Sequence, residues 1–132
     1  MRKFLLGLAA AASLAPFTTV TAQEDGASVV QRHIDAYRAR NMTEFLKTFA
    51  PDAVVNYEGM EFRGHTQIRK VYSANFTPDA PKVVIYSSGG ENGAVWIETG
   101  YVFPNGEELC CGFSEYTVAN GKITYVSVSG PG

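Results

Sequence analysis

NMTEFLKTFAPDAVVNYEGMEFRGHTQIRKVYSANF, spanning Asn41 to Phe76, reads as helix, turn, strand, return strand and second helix. Asn41 has the chemistry of a helix N-cap, and Glu44 three positions later completes a capping box. Phe45, Leu46 and Phe49 follow at three- and four-residue spacing, which gives this short helix one apolar face. Pro51 ends it, because proline brings no backbone N–H to a continuing helix. Ala53, Val54, Val55 and Tyr57 suit a strand, Glu58-Gly59 a turn, and Glu61 to Arg63 the return. Gly64 breaks the chain. Ile68, Val71, Tyr72 and Phe76 then mark one face of a second helix, closed by Thr77-Pro78.

Upstream lies one more helix, preceded by an export signal. Ser28 is placed to cap a helix running to about Arg40, with Val30, His33, Ile34 and Tyr37 on its apolar face and Gln31, Asp35 and Arg38 toward water. Met1 to Ala22 has the layout of a secretory signal peptide. Arg2 and Lys3 form the charged start, Phe4 to Leu14 the apolar run, and Val20-Thr21-Ala22 a small-residue cleavage site. The apolar run is shorter than the roughly 20 residues a spanning helix requires, so it is read as cleaved and not as an anchor. The expected compartment is periplasmic or extracellular, with no membrane contact after the cut behind Ala22.

Removing 22 residues from 132 leaves 110, a length for one domain, 23–132, with a single core. Without Arg2 and Lys3 the chain keeps nine basic residues against thirteen acidic ones, a net charge of −4, and no basic run. A nucleic-acid partner has no footing in that pattern. The two cysteines, Cys110 and Cys111, are neighbours, and with only two histidines no metal-type spacing arises. No motif asks for a cofactor. On a strand adjacent side chains point to opposite faces, so the pair is read as two small apolar residues with at least one buried. A vicinal or intermolecular disulfide is the alternative that an oxidising compartment allows.

From Val83 onward the apolar period changes to two. Val83 to Ser87 is a strand, Ser88 to Gly93 a polar loop, Ala94 to Phe103 a long strand and Pro104-Asn105-Gly106 a turn. Leu109 to Val118 and Ile123 to Val128 are the last strands, joined at Asn120-Gly121. Three helices interleaved with a hairpin thus precede four antiparallel strands. The sheet has only the helices to cover its apolar face, so the fold class is α+β: a cone-shaped, curved antiparallel sheet wrapped around three N-terminal helices. Such a wrap leaves an apolar hollow between helices and sheet.

Three stretches carry a likeness to a known family: Phe49-Ala50-Pro51-Asp52-Ala53-Val54-Val55, then Phe62-Arg63-Gly64-His65 with Ile68 and Tyr72, and finally Asn120-Gly121-Lys122-Ile123. In order and spacing the chain resembles the nuclear transport factor 2-like, or SnoaL-like, superfamily, which includes ketosteroid isomerase, polyketide cyclases and limonene epoxide hydrolase. The resemblance implies a cone-shaped barrel with a deep apolar pocket, a small apolar ligand, and often a homodimer packed through the sheet. It does not imply one chemistry, because this fold serves enzymes, binding modules and partner-binding subunits. Where ketosteroid isomerase has a tyrosine donor, an aspartate base and a protonated aspartate, the matching positions here are His33, Tyr57 and Cys111. That isomerisation needs a carboxylate base and paired donors, so the resemblance does not extend to it. The epoxide hydrolase group needs an arginine that the late strands lack. The single acid/base carboxylate of the polyketide cyclases survives as Glu98 or Glu115.

His33 is the polar group expected deepest in the hollow, either as a satisfied core residue or as an acid/base. Tyr57 would support it as a donor. Glu115 shares a strand face with Leu109, Cys111 and Phe113; if Phe113 faces inward, Glu115 borders the cavity, and if Tyr116 and Val118 face inward, it is solvated. Trp96 and Glu98 share the face of the preceding strand, Trp96 as a pocket wall and Glu98 as a pocket carboxylate or an exposed cross-strand partner. Tyr37, Tyr72, Trp96, Glu98 and Phe113 complete the candidate ligand contacts, while His65 is read as a helix-terminus residue near the surface. Three functions fit: a small-molecule binding protein, a proton-transfer enzyme using His33, Glu115 and Tyr57, and a dimeric interaction module.

Overall fold

The computed structural model describes residues 25–91 and 93–130. The expected signal segment, Met1–Ala22, lies outside the described residues. Helix α1 covers Gly26–Arg38, and its cap is the Asp25 carboxylate, which accepts the Ser28 N–H at 2.8 Å. Ser28 is therefore inside the first turn. The longer reach of an aspartate three residues upstream competes better for the orphan amides than a serine within the helix. α1 stops at Arg38, two residues early, because Arg40 takes a left-handed conformation with φ 55°. The Arg40 guanidinium then donates to the Asn75 and Ala80 carbonyls at 3.2 and 2.9 Å, tying this corner to the far end of the third helix and the link that follows it.

Helix α2, Met42–Lys47, begins as expected, with the Asn41 side chain accepting the Glu44 N–H at 3.1 Å. The Glu44 carboxylate turns away to the exposed Lys47 ammonium. Pro51 does not end this helix. The Thr48 hydroxyl donates to the Phe45 carbonyl at 2.6 Å, and the Thr48 carbonyl accepts the Ile123 N–H at 2.8 Å, so the chain is captured by a strand three residues earlier. Phe49 accordingly opens strand β1, Phe49–Tyr57, while keeping its place in the core. Pro51 sits where the pairing of β1 slips between Phe49 and Val54, a position that asks no ladder hydrogen bond of it.

Glu58 and Gly59, both at positive φ, turn β1 into β2, Met60–Arg63. Helix α3, Gly64–Tyr72, runs into a 3-10 turn at Ser73–Phe76. Strands β3 (Lys82–Glu91), β4 (Ala94–Val102), β5 (Glu108–Ala119) and β6 (Lys122–Ser129) follow. Sheet order is β2-β1-β6-β5-β4-β3, antiparallel at every pair except β1 and β6, which are parallel. The result is a curved, unclosed sheet with three helices on its inner side, the α+β cone that the pattern predicts.

The expected loop at Ser88–Gly93 is mostly strand. Ser88, Gly89 and Gly90 pair with Ile97, Trp96 and Val95. These glycines are strand residues for steric reasons: a Cβ on Gly89 would lie 2.8 Å from the Trp96 ring, and Gly90 has φ 142°. The core between the layers holds Phe45, Phe49, Ile68, Ile123 and the imidazole of His33, all fully buried.

Candidate functional site

Alternation along the strands decides which side chains reach the interior. On β4, Ile97 and Thr99 are buried and Tyr101 half-buried, all facing the helices. On β5 the inward set is Ser114, Tyr116 and Val118, while Phe113 is 41% exposed. The expectation that Phe113 faces inward is thus corrected, and Glu115 goes outward with it. The cause is an irregularity that local periodicity does not reveal. Thr99 pairs with Gly112 and Gly100 with Cys110, leaving Cys111 as an extra residue in β5. Cys110 and Cys111 are joined as a vicinal disulfide, with Cys110 exposed and Cys111 half-buried, so the reading of two plain apolar residues gives way to its alternative.

The inward residues enclose a chamber of about 40 Å³. His33, Tyr37, Tyr57, Tyr72, Tyr101 and Tyr116 line it, together with Asn75, Thr99, Ser114 and four aliphatic residues. It is smaller and more polar than the expected apolar hollow, since five phenols meet there. Its inner wall is His33, Tyr72 and Tyr116, all buried; Tyr37, Tyr57, Asn75 and Tyr101 are half-exposed at its mouth. A space of that size admits a few water molecules or one end of a ligand.

α1 carries His33 to this point because positions 30, 33, 34 and 37 share its inner face. The imidazole is 1% exposed and packed by Phe45 at 4.5 Å and by Phe49 and Tyr116 at 5.2 Å between ring centroids. Nδ1 lies 3.0 Å from the Thr48 hydroxyl. Burial without a charged partner pushes the His33 pKa down to about 3, so the ring is neutral at ordinary pH. Desolvation likewise raises Tyr37, Tyr57, Tyr72 and Tyr116 above the usual phenol value, so these hydroxyls stay protonated and able to donate. No carboxylate lines the chamber among the described residues.

Of the sequence-predicted residues, His33, Tyr37, Tyr57 and Tyr72 therefore meet in one place. Trp96, Glu98, Phe113 and Glu115 lie together on the opposite, convex face of the sheet. There Trp96 stacks on Phe113 with centroids 6.0 Å apart, and the Ser87 hydroxyl donates to Glu98 at 3.0 Å. Glu115 and Trp96 rim a depression of about 350 Å³ with Tyr125 and Ser127 on that same face. Trp96 is thus no wall of the helix–sheet chamber, and neither glutamate can serve it. His65, in the first turn of α3, donates from Nε2 to the Phe49 carbonyl at 3.1 Å, a terminus contact.

Sequence reasoning missed Tyr101, Asn75, Thr99 and Ser114. The Val95-Ile97-Thr99-Tyr101 alternation is the signal that could have found two of them. It also missed a groove of about 870 Å³ between the start of α1 and the far ends of β3, β4 and β5, floored by Val30, Ile85, Val95 and Val118. Small residues are frequent in its lining, with Gly26 and Ala27 on the helix and Ser88, Gly89 and Gly90 on β3. Ile34 and Ile97 line both groove and chamber. Among the described residues no three His, Cys, Asp or Glu side chains gather as a metal site would require, and no helix is long and apolar enough to cross a membrane.

The profile of the SnoaL-like domain family matches residues 30–126. No curated protein matches the chain. Among solved structures, a candidate ketosteroid isomerase of Kribbella flavida superposes with a TM-score of 0.72 at 14% identity, covering 83% of this chain and 80% of that one. A candidate polyketide cyclase of Sinorhizobium meliloti gives 0.67 at 20% identity, over 76% and 93% of the two chains. An NTF2-like protein of unknown function from Mesorhizobium loti gives 0.70 at 16% identity, over 81% and 91%. At such identities the likeness speaks for the fold.

Proposed function

Because the chain belongs to the SnoaL-like domain family, we propose that it is an exported protein which holds one end of a small molecule in the tyrosine-lined chamber without breaking a bond. The observation that carries this reading is the chemistry of the lining: a buried neutral imidazole and protonated phenols, with no carboxylate beside them among the described residues. Hydrogen-bonding groups in a desolvated recess select a ligand by shape and by donor–acceptor pattern. Acid/base turnover asks for a group whose pKa lies near the working pH, and an imidazole near 3 is a weak base at neutrality.

Proton-transfer catalysis is the alternative, and one observation favours it: Tyr57 and His33, expected as donor and acid/base, do line the same chamber. The two readings separate in one experiment. The mature chain and its His33→Ala variant are screened against small carbonyl compounds and phenols, following thermal stabilisation and product formation together. Stabilisation without product, lost in His33→Ala, supports binding. Turnover by the wild type that His33→Ala abolishes, with the fold retained, overturns it in favour of the enzyme.

The same proposal includes export, supported by Arg2-Lys3, the apolar run and Val20-Thr21-Ala22, and a homodimer through the convex face. Support for the dimer is the exposed apolar surface there: Tyr86 and Phe113 are 49% and 41% exposed.

A further inference from the structure

Proton allocation around His33 specifies what the chamber can recognise. The Thr48 hydroxyl has one hydrogen, and the 2.6 Å approach of its oxygen to the Phe45 carbonyl places that hydrogen between the two oxygens, since a carbonyl only accepts. At its other side the Thr48 oxygen can therefore only accept. Its partner there, 3.0 Å away, is His33 Nδ1, which must carry the imidazole proton. A neutral imidazole has one N–H, so Nε2 is left as a bare acceptor. Among the hydrogen bonds of the described residues none reaches Nε2, although the ring is 1% exposed and lines the chamber. A buried acceptor without a donor is a costly arrangement unless something supplies one.

We propose that Thr48 locks His33 as the Nδ1–H tautomer, so that Nε2 presents an acceptor to the chamber and selects ligands bearing a hydroxyl donor, an alcohol or phenol, over their ether counterparts. The proposal rests on the reading of the chamber as the ligand site. Thr48 is a positioning residue: its contacts are with His33 and the backbone of Phe45 and Ile123, and it acts on the ligand through the imidazole. The phenols around the mouth can satisfy a ligand's acceptors, while Nε2 of the Nδ1–H tautomer can only accept and so calls for a donor on the ligand.

The test uses the mature chain, uniformly ¹⁵N-labelled, with phenol and anisole as probes of nearly the same shape. Long-range correlations from the imidazole carbon-bound protons report which nitrogen of His33 is protonated, and titration of the same signals reports affinity. The expected result is the Nδ1–H form, with phenol binding about tenfold or more tighter than anisole, the effect of one desolvated hydrogen bond. Thr48→Val, which removes the acceptor at constant shape, should release the tautomer and collapse that preference, and Thr48→Ser should keep both. An Nε2–H form in the wild type, or equal affinities for the two probes, overturns the proposal while leaving the chamber as a ligand site. An Nδ1–H form with neither probe bound refutes the chamber reading itself, and ligand selection falls with it. If Thr48→Val does not fold, the wild-type tautomer and the affinity ratio decide alone.

Discussion

Acidification from pH 7 to pH 5 should destabilise this protein through His33 by a calculable amount. In the unfolded chain the imidazole takes up a proton near its ordinary value of 6.5, whereas in the folded chain burial holds it unprotonated down to about 3. Below 6.5 the unfolded state therefore binds more protons than the folded one, and stability falls as the pH falls. The contribution is fully present above 6.5 and is lost progressively until the folded value is reached. At 1.36 kcal/mol per unit the loss is about 2 kcal/mol at pH 5. For a domain of this length that corresponds to a fall in Tm on the order of 10 °C. Asp25, whose helix-cap hydrogen bonds depress its carboxyl below 3.8, contributes only at lower pH, and the phenols around the imidazole stay neutral throughout. His33→Phe keeps an aromatic ring against Phe45, Phe49 and Tyr116, and it leaves the Thr48 hydroxyl its bond to Phe45. Urea titrations from pH 7.5 to 5, read by circular dichroism and by Trp96 fluorescence, should show the slope in the wild type and its loss in the variant. Equal slopes in the two proteins would refute the burial of an unpaired, neutral imidazole on which the site depends.

Other expected outcomes follow from single contacts. Asn41→Ala removes the side-chain oxygen that accepts the Glu44 N–H and should cost about 1 kcal/mol in urea unfolding, with no change in the slope of the transition. Glu98→Gln and Glu115→Gln, both on the convex face, should leave phenol affinity within twofold of wild type in the same titration, whereas a tenfold loss would mean that the wrong face has been assigned to the ligand. Phe113→Glu places a charge in the exposed apolar cluster stacked with Trp96 and should drive sedimentation to the monomer without lowering Tm; an unchanged sedimentation coefficient would end the case for a dimer through that face.

The fold was legible where local chemistry and global packing agree. Asn41, Glu58-Gly59 and Asn120-Gly121 each mark a boundary by a mechanism that works within a few residues, and the structure turns at all three. Where a distant strand intervenes, the same reasoning misplaces the boundary. Pro51 looks like a helix stop, but the Ile123 amide has already claimed the Thr48 carbonyl, from a strand that follows 75 residues later in the chain. Ser88 to Gly93 looks like a loop because glycines favour loops. In the structure Gly89 is a strand residue covered by the ring of Trp96, a packing fact with no local signature.

The candidate site was legible only as far as helix periodicity reaches. Four apolar positions at three- and four-residue spacing fix the inner face of α1, so His33 and Tyr37 were placed without reference to any strand. For β5 both alternations carry an aromatic residue, Phe113 on one and Tyr116 on the other, and a single inserted residue exchanges the faces. Cys111 is that residue, unpaired in the ladder between Cys110 and Gly112. Glu115 follows the phase so set, to the convex side with Trp96, and the chamber loses the carboxylate that a polyketide-cyclase-like chemistry would need. One bulge thus separates the catalytic reading from the binding one. What remains inside is an imidazole whose proton is assigned by a threonine from the end of α2, a residue with no obvious weight in the sequence. Reactivity here depends on strand phase, and recognition on where one hydroxyl hydrogen goes.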